Sequence, residues 1–512
     1  MILIIKRGTT IMNFRINSKK SIVIKNFLIT PQFLATLAAS LIVGYLLFVP
    51  PINGYADNGD FARVIYVNGI YPLTNHYTYL KYLHLHYGIM QYYNEHQAML
   101  FSSQGMFIKL AIFLNQVFYS KKIFDIRFIG VVYYFLYLGG IYFLTTALTF
   151  KTKKKTNYVI AILVVLIFAD SSWTLYFNSF FAEPIMIIAM LYLTASIMLL
   201  GKNCKHQITI FTIYLVACLI LITVKQQNAP LALSLALLTM GLYFVFKQKK
   251  YKYLLTFSII LLLAAGAATY ELITSDFSQI NKYQTVTRGV LLEEKDPGND
   301  LERGGVSRQF GLLKGEIYGQ TYSEVPQTSA VIKKDLLKKV DFAWVLKFYL
   351  THPKQFRQML DIAAGDGYLI QVRAVGDYQR ASGIRPQQQT HYFTLFSLIM
   401  EAFFPKKIAF YILLCLVLAI LYLVIGFMGF KNNEDESILK CFKMLAFVTI
   451  IMGTFVISIV GDGDADLAKH LIMVPLTLDL IFLEIIADVL QHSFFHPIQS
   501  ERSKSNGLGK ID

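Results

Sequence analysis

Long apolar runs alternate with short basic ones along most of this chain. The first runs from about Phe27 to Val49 and stops at Pro50-Pro51, which cannot continue a helix. Others cover about Ile123–Phe150, Tyr158–Ala169, Pro184 toward Lys202, Ile208–Val224, Pro230 toward Lys247 and Tyr253–Ile273. Three more follow at Ile408–Met428, Phe442–Val460 and Leu471–Leu490. Most reach the roughly 20 residues that carry a helix across about 30 Å of hydrocarbon. The pattern predicts an all-α, polytopic integral membrane protein with about ten transmembrane helices. The strands of a membrane barrel would be shorter and would alternate.

Two stretches break the rhythm. Residues 50–122 form a loop rich in Tyr, His, Asn and Gln, with a helical pattern at Gly105–Tyr119 that reads as lying against the membrane. Residues 274–407 are polar, with Gly, Pro and short helical patterns such as Ser329–Leu350, and no window in them is apolar enough to span. They read as a soluble insertion. The division is then a segment 1–26, a transmembrane module 27–273, the insertion 274–407, transmembrane helices 408–490 and a polar tail 491–512.

Composition agrees: of 512 residues, 55% are hydrophobic and 16% charged, too apolar for an ordinary soluble surface. The formal charge of +16 sits in short clusters between apolar runs. That is the signature of cytoplasmic loops and not of a nucleic-acid face. Lys6, Arg7, Arg15, Lys19, Lys20 and Lys25 precede the first run, which is too long for a signal peptide and reads as a retained helix. Both termini are then cytoplasmic, and residues 50–122 and 274–407 face outward. The helix centres look nearly uncharged. Cys204, Cys218, Cys415 and Cys441 lack metal-ligand spacing.

The polar chemistry collects in the loops assigned to the outer face. Asp57-Asn58-Gly59-Asp60 follows the first helix. Asn-Gly supplies a turn, and Asp60 suits a helix cap. The pair also suits a general base, or ligands for a divalent cation such as Mg or Mn. Glu183 precedes Pro184 at a helix start, near Asn178 and several aromatics, a set suited to a sugar. Lys225 stands at an outside helix end beside Gln226, Gln227 and Asn228, either snorkelling or meeting phosphate. Arg373 lies between Tyr368 and Tyr378 and is the insertion's candidate anion contact. Gly461–Asp466 carries alternate aspartates before Lys469 and His470; it lacks the closing glutamate of a calcium loop. No nucleotide-binding fingerprint or Walker sequence is present.

Asp57-Asn58-Gly59-Asp60-Phe61, Phe177-Asn178-Ser179-Phe180 with Glu183, and Lys469-His470-Leu471 together resemble the GT-C superfamily of polytopic glycosyltransferases. The nearer likeness is to bacterial surface-glycan hexose transferases of the S-layer-glycan type. The resemblance implies an inverting transfer of a hexose from a polyprenyl-phosphate donor to a cell-surface glycan or glycolipid acceptor, at the outer face of the cell membrane. It implies Asp57 as general base, with Asp60 orienting the site or sharing a cation. Asn178 and Glu183 would hold sugar hydroxyls, and Lys225 and Arg373 the donor phosphate, with His470 nearby. Partners would be the donor, the acceptor and membrane lipids, with no nucleic acid. Rival readings are a glycolipid flippase or a non-catalytic component of surface-polymer assembly.

Overall fold

The computed structural model describes residues 30–74, 77–92, 94–96, 101–152, 154–320 and 322–494. The segment 1–26, with its six basic residues, and the tail from 495 onward lie outside the described residues. Each of the ten apolar runs forms a helix. In chain order the labelled helices are α1 (Pro31–Phe48), α2 (Gln104–Phe118), α3 (Arg127–Leu148), α4 (Thr156–Phe168), α5 (Glu183–Gly201), α6 (Gln207–Thr223), α7 (Leu231–Val245), α8 (Lys249–Glu271), α9 (Ser275–Gln284), α10 (Ile408–Asn432), α11 (Asp435–Asp462) and α12 (Met473–Gln491). The protein is an all-α, multi-pass membrane protein.

By length and composition alone, not all of the ten helices qualify as spans among the described residues. Among the described residues, α1, α3, α5, α8, α10 and α11 are long and apolar enough to cross a membrane. A seventh appears if α4 and the bent segment Ser171–Asn178 count as one span. The two short exceptions are α6, with 17 residues, and α7, with 15. At about 1.5 Å per residue they fall short of a full hydrocarbon width. Asp479, Glu484 and Asp488 make α12 too charged for the same test.

Packing follows hydrophobicity. Nearly every side chain of α5 is buried, as expected of a helix apolar all round. It packs on α3 and α6, while α1 lies on α3 and α4, and α11 lies on α7 and α10. α2 buries Ile108, Ala111 and Asn115 and leaves Met106, Phe113, Val117 and Phe118 exposed. It is a short apolar helix, docked by its narrower face.

Charged side chains are buried where α11 begins and α12 ends. Lys440 binds Asp488 at 2.7 Å, Lys443 binds Glu484, and the Lys202 ammonium donates to the Ala147 carbonyl at 2.9 Å. These groups sit between α3, α5, α11 and α12 and are buried. Pairing makes them tolerable, because each ion would be costly alone. Sequence periodicity sees only one chain segment at a time and could not reveal such partners.

The loop 50–122 and the three residues after it hold a structure that an all-helical reading misses. Strands β1 (Ile70–Pro72), β2 (His86–Ile89) and β3 (Ile123–Asp125) form an antiparallel sheet, with Ile70 opposite Ile89 and His86 opposite Asp125. Gly88 is needed there, since a Cβ would meet the Tyr71 ring at 2.2 Å.

The insertion is built from short pieces. The Ser329–Leu350 pattern breaks into a π-turn at Ile332–Leu337 and a helix at Phe342–Thr351, whose cap is the Asp341 carboxylate accepting from Trp344 N at 2.7 Å. Bridges Asn53–Tyr378 and Leu83–Gln379 tie it to the first loop. Just before them lies Asp377, fully buried, whose Oδ2 accepts from Thr390 N at 2.8 Å and whose Oδ1 has no partner. Burial pushes its carboxyl from 3.8 up to about 7. The folded state therefore holds a proton that the unfolded chain has lost between about pH 4 and 7, so stability falls as pH rises through that window. The full span is worth at most roughly 4 kcal/mol. Asp377→Asn should flatten this slope in a melting-temperature series against pH; an unchanged slope would assign it to other groups.

Candidate active site

The turn at Asp57–Asp60 divides the two aspartates. Asp57 Oδ1 accepts from Gly59 N at 2.7 Å and Phe61 N at 3.2 Å, and Tyr77 Oη donates to its Oδ2 at 3.1 Å. Asp57 is buried with its acceptors already engaged. Gly59 takes φ +107°, which a side chain would resist. That turn sends Asp60 the other way. Its Oδ1 lies 2.9 Å from Arg63, one helical turn on, and its Oδ2 is bound by the Lys469 ammonium. The expected division is reversed: Asp57 caps the turn, and Asp60 faces open space.

That space is a cavity of about 90 Å³ where several helix ends converge. Glu183 opens α5, and Lys225 follows α6; they pair at 3.1 Å. His470 comes from the link between α11 and α12, with Nε2 3.6 Å from Asp462. Gln227 donates to Ser458 Oγ and to the His470 carbonyl, both at 2.9 Å. Phe180 and Phe181 add aromatic faces, and the Lys469 ammonium sits 4.7 Å from the Phe181 ring centre. The insertion supplies Asn281 of α9 to the wall. It is also stapled to this end of the bundle, because Arg288 grips Asp464 at 2.6 Å and its backbone lies against Gly463.

Four of the seven expected site residues therefore meet here: Asp60, Glu183, Lys225 and His470. Asn178 does not reach the cavity. It is fully buried, and its side-chain amide donates to the Leu47 carbonyl at 3.0 Å and the Asn53 carbonyl at 2.7 Å. It fastens the exit of α1 to the bend before α5, where a sugar has no access. Arg373 is exposed and paired with Glu401. Asn178→Ala should lower stability by about 1–3 kcal/mol, from the carbonyls left unpaired, and Arg373→Ala by about 1 kcal/mol or less. Chemical denaturation measures both; a raised KM without lost stability would return Asn178 to the sugar site.

Residues 16–509 match the YfdI N-terminal transmembrane domain. The chain belongs to that family. No curated protein and no solved structure matches it.

The charges around this cavity act strongly on one another. Burial alone would raise the Asp60 carboxyl, but Lys469 and then Arg63 hold it well below the usual carboxylate range. Burial would likewise lower Lys469, yet Asp60 and Asp466 raise it above the ordinary lysine range. Both groups are therefore ionised near neutral pH. Burial, helped by Lys225 and Lys469, pushes the His470 imidazole well below its ordinary value, so it is neutral. Asp57 is raised by burial, against the pull of its two N–H donors.

These partners do not suit a divalent cation. Asp57 spends its oxygens on backbone N–H groups and a tyrosine, and Asp60 spends its own on two cations. Among the described residues no three His, Cys, Asp or Glu side chains are grouped to hold a metal. Arg63 and Lys469 stand where a cation would have to sit. Arg63 was missed as a site residue; its signal was the spacing of three from Asp60, which puts both on one helical face. Lys469 stood in the Lys469-His470-Leu471 motif but was given no role of its own.

Proposed function

We propose that this protein is a membrane glycosyltransferase of the GT-C kind, moving a hexose from a polyprenyl-phosphate donor to a surface glycan or glycolipid acceptor. Membership of the YfdI family, a glycosyltransferase-like membrane family, fits a membrane glycan-related function. The observation that carries the reading further is the convergence of Asp60, Glu183 and Lys225 from distant chain segments in one cavity.

The chemistry follows from the pairs. The Asp60 carboxylate takes the proton of the acceptor hydroxyl as that oxygen attacks the anomeric carbon. The anomeric bond to phosphate breaks, and the charge left on phosphate is stabilised by Lys225 and Arg63. In the free site those cations are already held by Glu183 and Asp60, so donor phosphate competes for preorganised partners. Glu183 and the Phe180 and Phe181 rings contact the sugar, and neutral His470 offers it a hydrogen bond. The site lies on the outer face, opposite the Lys440–Asp488 and Lys443–Glu484 pairs, with both termini cytoplasmic.

The test is transfer of labelled hexose from a polyprenyl-phosphate hexose to delipidated cell-surface glycan by purified protein in nanodiscs. The reading requires polyprenyl phosphate to be released in step with transfer. Asp479, buried within α12 with one carboxylate oxygen unpartnered, favours one rival, a glycolipid flippase, since intramembrane ionisable groups mark transport paths. Movement of donor across liposomes with no transfer would support that rival and overturn the enzyme reading.

A further inference from the structure

Lysine and arginine are spread unevenly over the insertion. Between Lys333 and Arg357 stand seven of them against two aspartates, whereas the rest of 274–407 holds eleven basic and twelve acidic residues. Loops on the outer side of a membrane normally carry few such clusters. This one lies at the end of the bundle that holds the candidate active site, where Asn281 of the same insertion walls the cavity.

The fold turns this charge outward. The π-turn Ile332–Leu337 buries Ile332, Leu336 and Leu337, while Lys333, Lys334, Lys338 and Lys339 are exposed. The helix Phe342–Thr351 buries Val345, Phe348 and Tyr349 and exposes Lys347. Lys354 and Arg357, also exposed, stand one turn apart on the next helix, Pro353–Gly365. Lys339 Nζ donates to the Gly305 carbonyl at 3.3 Å, and Trp344 Nε1 donates to the Gly304 carbonyl at 3.0 Å. The turn and the first helix are thereby drawn to one point. Among the described residues none of the seven cations forms an ion pair, whereas Arg288, Arg308 and Arg373 are each paired with an acid.

Apolar surface lies among the charges. Phe342, Leu346 and Leu350, each four residues from the next, form an exposed stripe, and the part-exposed Trp344 ring stacks on Phe348 at 5.7 Å. The buried side of the same helix meets the active-site end. Tyr349 Oη lies 3.1 Å from where a Cβ on Gly289 would stand, and neighbouring Arg288 grips Asp464, two residues from Asp462 in the cavity wall.

We infer that this face holds the acceptor, and that the acceptor is a polyanionic glycan, a polymer bearing phosphate or carboxylate groups along its length. The inference rests on the proposed transferase reading and names the substrate class of the same site. Repeated unpaired cations match a ligand of repeated negative charge. Phe342 and Trp344 offer rings to the apolar faces of its sugars. A protein partner fits less well, since interfaces are depleted in lysine. So does anionic lipid, which the cytoplasmic leaflet carries, on the side opposite this face.

The test measures binding, separately from transfer. Full-length protein in nanodiscs of neutral lipid is titrated with fluorescent polygalacturonate, poly(glycerol phosphate) and dextran of matched length. The polyanions are expected to bind and dextran not, with binding weakened about tenfold or more between roughly 50 and 500 mM salt, because exposed charges are screened. The joint variant Lys333→Gln, Lys334→Gln, Lys338→Gln, Lys339→Gln should weaken binding about fivefold or more, as the loss of four surface ion contacts would. Arg380→Gln with Arg385→Gln, elsewhere on the insertion, should leave it unchanged. If the four-lysine variant melts early, Lys354→Gln with Arg357→Gln, on a separate helix, makes the same comparison. Equal binding of dextran, equal loss in the Arg380 and Arg385 variant, full competition by phosphatidylglycerol vesicles, or no loss in either lysine variant at unchanged melting temperature would overturn the inference. Binding of one polyanion and not the other would uphold it and name carboxylate or phosphate as the charge. Polyanion binding by protein that transfers no hexose would uphold the surface while removing the transferase reading. Transfer to neutral glycan with no polyanion binding would do the reverse.

Discussion

Asp60→Asn is expected to lower kcat for hexosyl transfer by about 10²- to 10⁴-fold, the usual contribution of a positioned general base. Asp57→Asn is expected to stay within about threefold of the parent, because Asn and Asp are near-equal caps. The contrast arises from two residues' separation. Asp57 is turned inward onto Gly59, Phe61 and Tyr77, while Asp60 is turned onto Arg63 and Lys469 in the cavity. Lys469 keeps Asp466 at 3.2 Å when Asp60 is neutralised, so Asp60→Asn need not unfold the protein. Steady-state kinetics on both variants, with melting temperatures, makes the comparison. Equal losses would assign the effect to the turn itself, and full activity of Asp60→Asn would remove it from the chemistry.

Lys469→Met should change the pH dependence of transfer as well as its rate. In the parent, Lys469 and Arg63 overcome burial and keep Asp60 ionised far into acid. A carboxylate with a depressed pKa loses its charged form only as pH falls through that low value. No acid limb from Asp60 is therefore expected between about pH 5 and 7. Without Lys469 the burial effect is opposed mainly by Arg63, the pKa rises, and an acid limb should move up toward that range. A kcat/KM profile that only drops in height, with no shift of its acid limb, would mean that Lys469 acts on something other than Asp60. His470 gives no competing limb near its ordinary value, because burial and neighbouring cations keep it neutral.

The helices were legible because each apolar run is a local property. All ten appear, with starts near Pro31, Pro184 and Pro230 and a break at Pro50, where proline's missing N–H fixes boundaries. What the runs could not settle was which of them cross. α6 and α7 are too short and α12 too charged, and the acids of α12 are buried only because α11 brings Lys440 and Lys443 to them. The small sheet escaped notice because its strands hold three or four residues each, and β3 lies 34 positions beyond the end of β2.

The site was legible in part for the same reason. Glu183, Lys225 and His470 stand at helix ends, and helix ends are visible in sequence. The assignment between Asp57 and Asp60 was not visible, since it depends on Gly59 adopting φ +107° and on Lys469 arriving from about 400 residues away. Asn178 looked like a sugar contact because it sits among aromatics. Those aromatics are core: Phe177 packs against Tyr133 and Tyr137. Arg373 was chosen for its flanking tyrosines, yet Tyr368 points to Asp479 at 2.6 Å. Composition of a stretch indicates what a site would use, whereas the direction of each side chain is fixed by contacts distant in sequence.

The most direct measurement is a structure of the full-length protein bound to a non-cleavable polyprenyl phosphonate hexose in nanodiscs. The account predicts the hexose between Asp60, Glu183 and Phe181, with the phosphonate on Lys225 and Arg63. Hexose bound beside Tyr77 and Asp57, or phosphonate bound at the Lys440 and Lys443 end of the bundle, would contradict it.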